Sequence, residues 1–106
     1  MSDSNYGVIL VTVASQARAQ EMAIALVQAK LAACVNLFPI ESIYLWQSEI
    51  NQDREYQLII KTDLSKFEAL TAKITALHSY KVPEIIALPI VAGSSAYLNW
   101  LGSSIE

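Results

Sequence analysis

The pattern of hydrophobic and polar positions changes its period several times, which predicts alternating strands and helices. Residues 6–13 are rich in β-branched side chains between polar flanks and predict a buried strand. From Gln16 the apolar residues recur at the i, i+3, i+4, i+7 spacing of a helix face, with Ser15 as the N-cap. Residues 33–38 predict a second strand. Pro39 lacks an N–H for a sheet ladder, so it predicts an edge, a bulge or a bend.

The middle of the chain predicts a long β-hairpin. Residues 42–46 alternate between two faces, the mostly polar segment 47–53 predicts the turn, and residues 55–61 alternate again. Glu55 and Lys61 share one face of the second arm. Six residues of strand separate them by about 20 Å, so we do not expect them to pair directly.

The second half repeats the order of helix and strand. Ser65 and Glu68 match a capping box, which predicts the start of a helix. Residues 85–91 predict the last strand, with Pro89 at an edge or a bulge, and residues 93–95 open a terminal helix. The order β-α-β-β-α-β plus a C-terminal helix predicts an α+β fold, the ferredoxin-like sandwich, in which helices cover one face of the sheet.

The composition of the chain predicts, in addition, that it forms an oligomer. The chain has 106 residues, of which 54% are apolar and 16% are charged, whereas about 25% charged residues is usual. A single domain this short buries only about two thirds of its unfolded surface. We therefore expect one domain over residues 1–106, with an ordered core at about 6–103, whose open sheet face is buried against other subunits.

Several function classes are disfavoured. The net charge of −3 predicts no nucleic-acid partner, and the longest apolar run, residues 22–27, is too short to predict a membrane span. Residues 1–4 are polar and acidic and predict no signal peptide, and a single cysteine fits a reducing compartment, so we expect a cytoplasmic protein. No catalytic or nucleotide-binding motif is present, so we expect neither an enzyme nor an organic cofactor.

Candidate chemistry centres on one cysteine and one histidine. Cys34 has three interpretations: a buried apolar residue, a soft ligand for copper, or a nucleophile paired with His78. His78 ends the second predicted helix, where it either caps free carbonyls or lines a pocket with Tyr80 and Glu84. Because one Cys and one His cannot complete a transition-metal site, a metal requires carboxylates or ligands pooled between subunits.

The predicted hairpin supplies a second set of candidates. Tyr44 and Trp46 share a face, where they pack in the core or at an interface, or cover a ligand. Lys61 is costly to bury without a negative partner. It is therefore a candidate for binding an anionic group, and a solvated surface lysine is the alternative.

Several segments form a series whose order and spacing resemble one known family over residues 6–100. They are Leu31-Ala32-Ala33-Cys34-Val35-Asn36, Ser42-Ile43-Tyr44-Leu45-Trp46, Lys61-Thr62, Leu77-His78-Ser79-Tyr80-Lys81-Val82-Pro83-Glu84-Ile85-Ile86-Ala87 and Tyr97-Leu98-Asn99-Trp100. This series resembles the CutA family of divalent-cation tolerance proteins. The resemblance implies a ferredoxin-like homotrimer similar to the PII signalling proteins, with clefts between subunits lined by residues matching Trp46, Glu55, Lys61, His78, Tyr80 and Glu84.

Two functions follow from the resemblance and the candidate residues. The first is the response to divalent metal ions, with copper or another divalent cation bound by Cys34, His78 and Glu84 from adjacent subunits. The alternative is a PII-like sensor or carrier that holds a charged organic ligand in a cleft. The residues expected in that cleft are Trp46, Glu55, Lys61, Tyr80 and Glu84. No downstream protein partner is indicated.

Three positions depart from the family pattern. Ser48 stands where members commonly carry Gly, so we expect a different turn geometry. Ser79 replaces a frequent Pro, and Lys81 replaces a frequent Glu. Loss of that acidic residue weakens a cation site and favours an anionic or zwitterionic ligand.

Overall fold

A four-stranded antiparallel sheet forms the centre of the structure, a computed structural model that describes residues 5–105. In chain order the elements are β1 (Tyr6–Val13), α1 (Gln16–Gln28), β2 (Cys34–Trp46), β3 (Glu49–Asp63), a 3-10 turn (Leu64–Lys66), α2 (Phe67–Leu77), β4 (Ile85–Pro89) and α3 (Ser95–Ser104). The sheet order β2-β3-β1-β4 is that of the predicted ferredoxin-like sandwich. Residues 1–4, on which the expectation of no signal peptide rests, lie outside the described residues.

Helices α1 and α2 pack on one face of the sheet and enclose the hydrophobic core. The core side chains are at most 2% exposed and are Ile9, Val11, Val13, Ala19, Met22, Leu26, Ala32, Leu58, Ile60, Leu70 and Ile74. Alternate residues of β1 and β3 supply the sheet's share. This face is fixed because a register shift of one residue would turn every one of those side chains to the other face.

Two helix N-termini are capped by serines: Ser15, as predicted, and Ser94, which lies in the segment predicted to open the terminal helix. The Ser15 hydroxyl accepts a hydrogen bond of 3.2 Å from the Arg18 backbone N–H at the start of α1. The Ser94 hydroxyl accepts one of 3.2 Å from the Tyr97 N–H at the start of α3. Each bond satisfies a donor that has no partner within the first helical turn.

The capping box predicted before α2 is wrong. Ser65 lies inside the 3-10 turn, and its backbone N–H donates to Asp63 Oδ1 at 2.9 Å. Asp63 has the extended backbone of an N-cap, whereas α2 itself begins after Lys66 without a side-chain cap. The carboxylate at the end of β3 therefore starts the helical segment, two residues before the predicted serine.

The hairpin of β2 and β3 has a much shorter turn than predicted. Only Gln47 and Ser48 form it, with φ values of 51° and 66°. Two consecutive positive φ values are typical of a two-residue type I′ turn. Residues 49–53 belong to β3 and are mostly polar because this part of the hairpin extends into solvent. Sequence polarity alone did not distinguish such a strand from a loop.

Both strand prolines lie at the edges of the sheet, as predicted. Pro39 lies within β2, which is one continuous strand, and Pro89 ends β4. Edge strands tolerate a residue without an N–H. Strand β4 ends at Pro89 and is therefore two residues shorter than the predicted strand of residues 85–91.

Apolar side chains remain exposed where the hairpin projects beyond the body. The molecule measures 48 × 25 × 22 Å. Ile43, Leu45 and Ile50 near the hairpin end are between 69% and 76% exposed. None of the helices within residues 5–105 has the length and apolar character that crossing a membrane requires.

Candidate functional site

A groove of about 770 Å³ lies between the hairpin and the segment that follows α2. Its hairpin side consists of Ile40, Ser42, Ile43, Tyr44, Trp46, Glu55 and Gln57, and Thr12 adds a contact from β1. The opposite wall consists of Ser79, Tyr80, Lys81, Val82 and Glu84. The volume is in the range of sites that hold small organic molecules.

Strand alternation and register bring most of the hairpin residues to one face. Every second side chain at the end of β2 lies on the side of the sheet opposite α1 and α2, and these are Ser42, Tyr44 and Trp46. Ile40 pairs with Glu55 across the strands, and residues directly opposite each other in antiparallel strands share a face. The sheet therefore presents two aromatic rings and a carboxylate toward the same space.

Glu55 is the one buried acidic or basic residue within the described part of the chain, at 8% exposure. The Tyr80 hydroxyl donates to Glu55 Oε2 at 2.6 Å. Burial and this hydrogen bond raise the pKa of Tyr80 well above its usual value. Tyr80 is therefore a proton donor to Glu55 throughout the physiological range.

Further acidic groups surround this pair. Glu84 also lines the groove, and partial burial, followed by the negative charge of Glu55, raises the pKa of Glu84. The Tyr44 hydroxyl donates to the Asp53 carboxylate, and this hydrogen bond is the main reason that the pKa of Tyr44 is raised. Among residues 5–105 only Arg54 and Glu41 form an ion pair, at 3.9 Å and highly exposed.

His78 positions Tyr80. The Tyr80 backbone N–H donates to His78 Nδ1 at 3.0 Å, so Nε2 carries the proton and donates to the Thr12 carbonyl at 2.7 Å. The two rings also pack together, with centroids 4.7 Å apart. His78 follows α2 as predicted, but the carbonyl that its ring caps belongs to β1. Both ring nitrogens are engaged, and neither offers a free lone pair to a metal.

Cys34 lies away from the groove. It pairs in register with Lys61, whereas Thr12, which holds His78, pairs with Gln57. These pairs are four strand positions apart, or about 13 Å. The Cys34 thiol lies beside the Tyr97 hydroxyl, whose pKa is raised by burial and by that thiol. This separation contradicts a nucleophile pair of Cys34 and His78 within one chain.

The predicted metal ligands do not assemble within one chain. In residues 5–105 no three Cys, His, Asp or Glu side chains form a group that could hold a metal ion. Glu84 lines the groove, His78 is held behind Tyr80, and Cys34 is half-buried at the start of β2. A ligand set pooled between subunits stays a prediction.

Four of the five residues expected in the organic-ligand cleft line this groove of a single chain, whereas a cleft between subunits stays a prediction. Trp46, Glu55, Tyr80 and Glu84 all line the groove. Lys61 does not, because its ammonium donates to Asn36 Oδ1 on the neighbouring strand. The separation of about 20 Å from Glu55, expected from strand spacing, accounts for this.

Nine groove residues lay outside the predicted cleft, and three of them carry polar groups that bear on binding. Tyr44 was signalled by its alternation with Trp46, and Lys81 was noticed only as a departure from the family. Alternation put Gln57 on the face of Glu55, but nothing in the sequence marked it as a binding residue. It lines the groove, and its side-chain amide donates to the Val11 and Leu58 carbonyls, each at 3.1 Å.

Comparisons with known proteins agree over nearly the whole chain. Residues 7–104 match the family described as CutA1 divalent ion tolerance protein. The chain is 50% identical over 95 residues to the divalent-cation tolerance protein CutA of Thermus thermophilus, covering 89% of this chain and 92% of that protein. It is also 50% identical over 98 residues to the chloroplastic protein CutA of Arabidopsis thaliana, covering 92% of this chain and 54% of that protein.

A solved structure gives the same result. The periplasmic divalent cation tolerance protein CutA from Archaeoglobus fulgidus superposes with a TM-score of 0.94 at 38% sequence identity, covering 95% of this chain and 99% of that one. Sequence and fold therefore agree on one relationship and confirm the resemblance found in the sequence. The chain belongs to the CutA family of divalent ion tolerance proteins.

Proposed function

We propose that the chain acts in the tolerance of divalent metal ions, as a homotrimer that binds copper or another divalent cation. Family membership supports the role in tolerance. One observation carries the binding of a cation: Glu55 and Glu84 line the same groove, and no described basic side chain lies within 4.0 Å of either carboxylate. A cleft with an excess of negative charge concentrates cations.

The proposed metal site takes ligands from more than one copy. Two groove carboxylates supply fewer donors than a divalent cation requires. Carboxylate oxygens suit hard divalent cations, whereas a thiol such as Cys34 suits copper(I). Of the three ligands expected from the sequence, Glu84 is placed in the groove. His78 would have to release the Thr12 carbonyl before Nε2 could bind a metal.

The homotrimer is supported by the apolar end of the hairpin. Leu45 pairs with Ile50 across the strands, and together with Ile43 they are largely exposed in a single chain. Apolar patches of this kind mark interaction surfaces. Light scattering should give a mass three times the 11.7 kDa of one chain, and a stable monomer would refute the proposed assembly.

Metal binding is tested by calorimetric titration of the demetallated protein with Cu²⁺ and Mn²⁺. We expect stoichiometric binding by at least one of these ions, weakened at least about tenfold in Glu84→Gln because a charged ligand is lost. Glu41→Gln removes an exposed carboxylate of the opposite hairpin face and is the matched control, with binding unchanged. Absence of binding by both ions would contradict this function.

Three aromatic residues in the groove support a second function, that of a PII-like sensor or carrier of a small organic molecule. Tyr44, Trp46 and Tyr80 line the space together with the carboxylates. Large apolar surfaces with a few charged groups are the usual composition of such sites. Binding without catalysis is part of both proposals, since His78 is engaged at both nitrogens and Cys34 lies outside the groove.

The proposed location is the cytoplasm. Its support is the single cysteine, which fits a reducing compartment. The relatives carry other locations in their names, chloroplastic for the Arabidopsis thaliana protein and periplasmic for the Archaeoglobus fulgidus protein. Fractionation of cells that express the chain tests this assignment, and recovery outside the cytoplasmic fraction would contradict it.

A further inference from the structure

Glu55 is a buried charge without a positive partner among the described residues. Its one hydrogen bond in this part of the chain is the one that Oε2 accepts from the Tyr80 hydroxyl. A buried carboxylate is costly unless its charge is paired and its oxygens are hydrogen-bonded. A cationic hydrogen-bond donor would therefore offset the cost of burying Glu55. Glu55 lines the groove, which is open to such a donor.

Aromatic side chains line the same groove as this carboxylate. Tyr44 and Trp46 line the groove from β2 and are 41% and 45% exposed. Tyr80 lines it from the opposite wall, where Glu55 and His78 hold it in place. The faces of such rings attract cations and cover apolar groups. The groove thus combines negative charge with apolar surface.

The charged residues of the lining disfavour an anionic ligand. Lys61, the cation expected to bind one, is held by Asn36 outside the groove. Lys81 is the one basic residue of the described lining, and it is exposed and more than 4.0 Å from every described carboxylate. Two carboxylates against one ammonium leave the lining negative.

We propose that this groove binds a protonated amine carried on an apolar or aromatic body, with the ammonium at Glu55 and Glu84 and the body against Tyr80 and Tyr44. This inference rests on the second proposed function, the binding of a small organic molecule. An ammonium is held by hydrogen bonds to one or two carboxylates, whereas a metal ion needs more ligands than one chain brings together. The lining of a single chain is therefore more complete for an amine than for a metal.

The test uses three probes with the same aromatic body and different charge. The demetallated full-length protein is titrated calorimetrically with 2-phenylethylammonium, with the neutral 2-phenylethanol and with the anionic 3-phenylpropanoate. We expect the ammonium to bind at least about tenfold more tightly than the alcohol, which is the effect of a hydrogen bond to a charged group. The anion should bind more weakly than the alcohol.

Variants locate the binding. Glu55→Gln should weaken binding of 2-phenylethylammonium at least about tenfold, while Glu41→Gln should change it less than about twofold. Because Glu55 is buried, Tyr44→Leu is a second variant. It removes a ring that is 41% exposed, and it should also weaken the binding. Equal binding by all three variants would overturn the assignment to this groove.

The outcomes separate the inference from the function on which it rests. Tighter binding of the alcohol or of 3-phenylpropanoate in this groove would overturn the amine and leave small-molecule binding in place. Failure of all three probes would overturn both. Titration with Mn²⁺ in parallel tests the metal function separately: if Mn²⁺ binds and no probe does, the amine inference falls and the metal function stands.

Discussion

The two faces of β3 differ in how their residues are held. Leu58 and Ile60 face α1 and α2 and are fully buried in the core. On the opposite face, Glu55, Gln57 and Lys61 each meet one or two specific polar partners. Burial stabilises the first face without directional bonds, whereas the second depends on individual donors and acceptors. Substitutions on the helix side should therefore affect the free energy of unfolding, and those on the groove side should affect binding.

The largest effect is expected on the helix-covered face. Leu58→Ala should lower the free energy of unfolding by about 2–5 kcal/mol, since it removes buried methyl groups and leaves a cavity. Ile24→Ala changes an apolar residue of α1 that is 57% exposed and should cost less than about 1 kcal/mol. Urea unfolding of both variants measures the difference. Similar losses in the two variants would contradict the core described for this face.

A smaller loss is expected where His78 joins the two sides of the groove. His78→Gln should lower the free energy of unfolding by about 1–3 kcal/mol, because the Thr12 carbonyl and the Tyr80 N–H lose their partner. It should also weaken binding in the groove, since Tyr80 is no longer held. If the variant retains full stability but loses metal binding, His78 is a metal ligand and the positioning role is wrong.

The hairpin turn offers a stabilising change. Ser48→Gly should raise the free energy of unfolding by about 0.5–1 kcal/mol, because glycine adopts positive φ without the strain of a Cβ. Ser95→Gly, at the start of α3, is the matched control and should lower stability by a similar amount. Thermal unfolding distinguishes the two, and a loss of stability in Ser48→Gly would contradict the described turn.

The smallest expected effect is the pH dependence of Glu84. Its pKa is raised in the folded protein, so the folded state binds a proton more readily than the unfolded chain does. Glu84 therefore costs stability at neutral pH, and this cost disappears as the pH falls through the raised pKa toward the ordinary pKa of a glutamate. Glu84→Gln should melt slightly higher than the native protein at neutral pH and equally below about pH 4. A difference that grows in acid would refute this assignment.

Sequence predicted the helix-covered face well, because local patterns determine it. The bounds of β1 and the start of α1 follow from period and capping alone. The extent of the hairpin did not follow, since the mostly polar residues 49–53 form an exposed strand. Likewise, the sequence did not predict that Asp63 rather than Ser65 caps the helical segment, because the capping residue depends on where β3 ends.

The groove was only partly accessible from sequence. Alternation placed Tyr44 beside Trp46, and the family resemblance contributed Glu55, Tyr80 and Glu84. The hydrogen bonds of His78 could not be predicted, because the Thr12 carbonyl is 66 residues away in the chain. For Lys61, strand spacing indicated a position far from Glu55 within one chain, and the structure agrees; the place of Lys61 in a cleft between subunits stays a prediction.

A crystal structure of the protein soaked with 2-phenylethylammonium tests the central claim most directly, that the open face of the sheet carries a cation-binding groove. We expect the ammonium within hydrogen-bond distance of Glu55 Oε1 and the phenyl ring against Tyr80 or Tyr44. The same ligand bound elsewhere, or oriented with its ring toward Glu55 and its ammonium in solvent, would contradict the account.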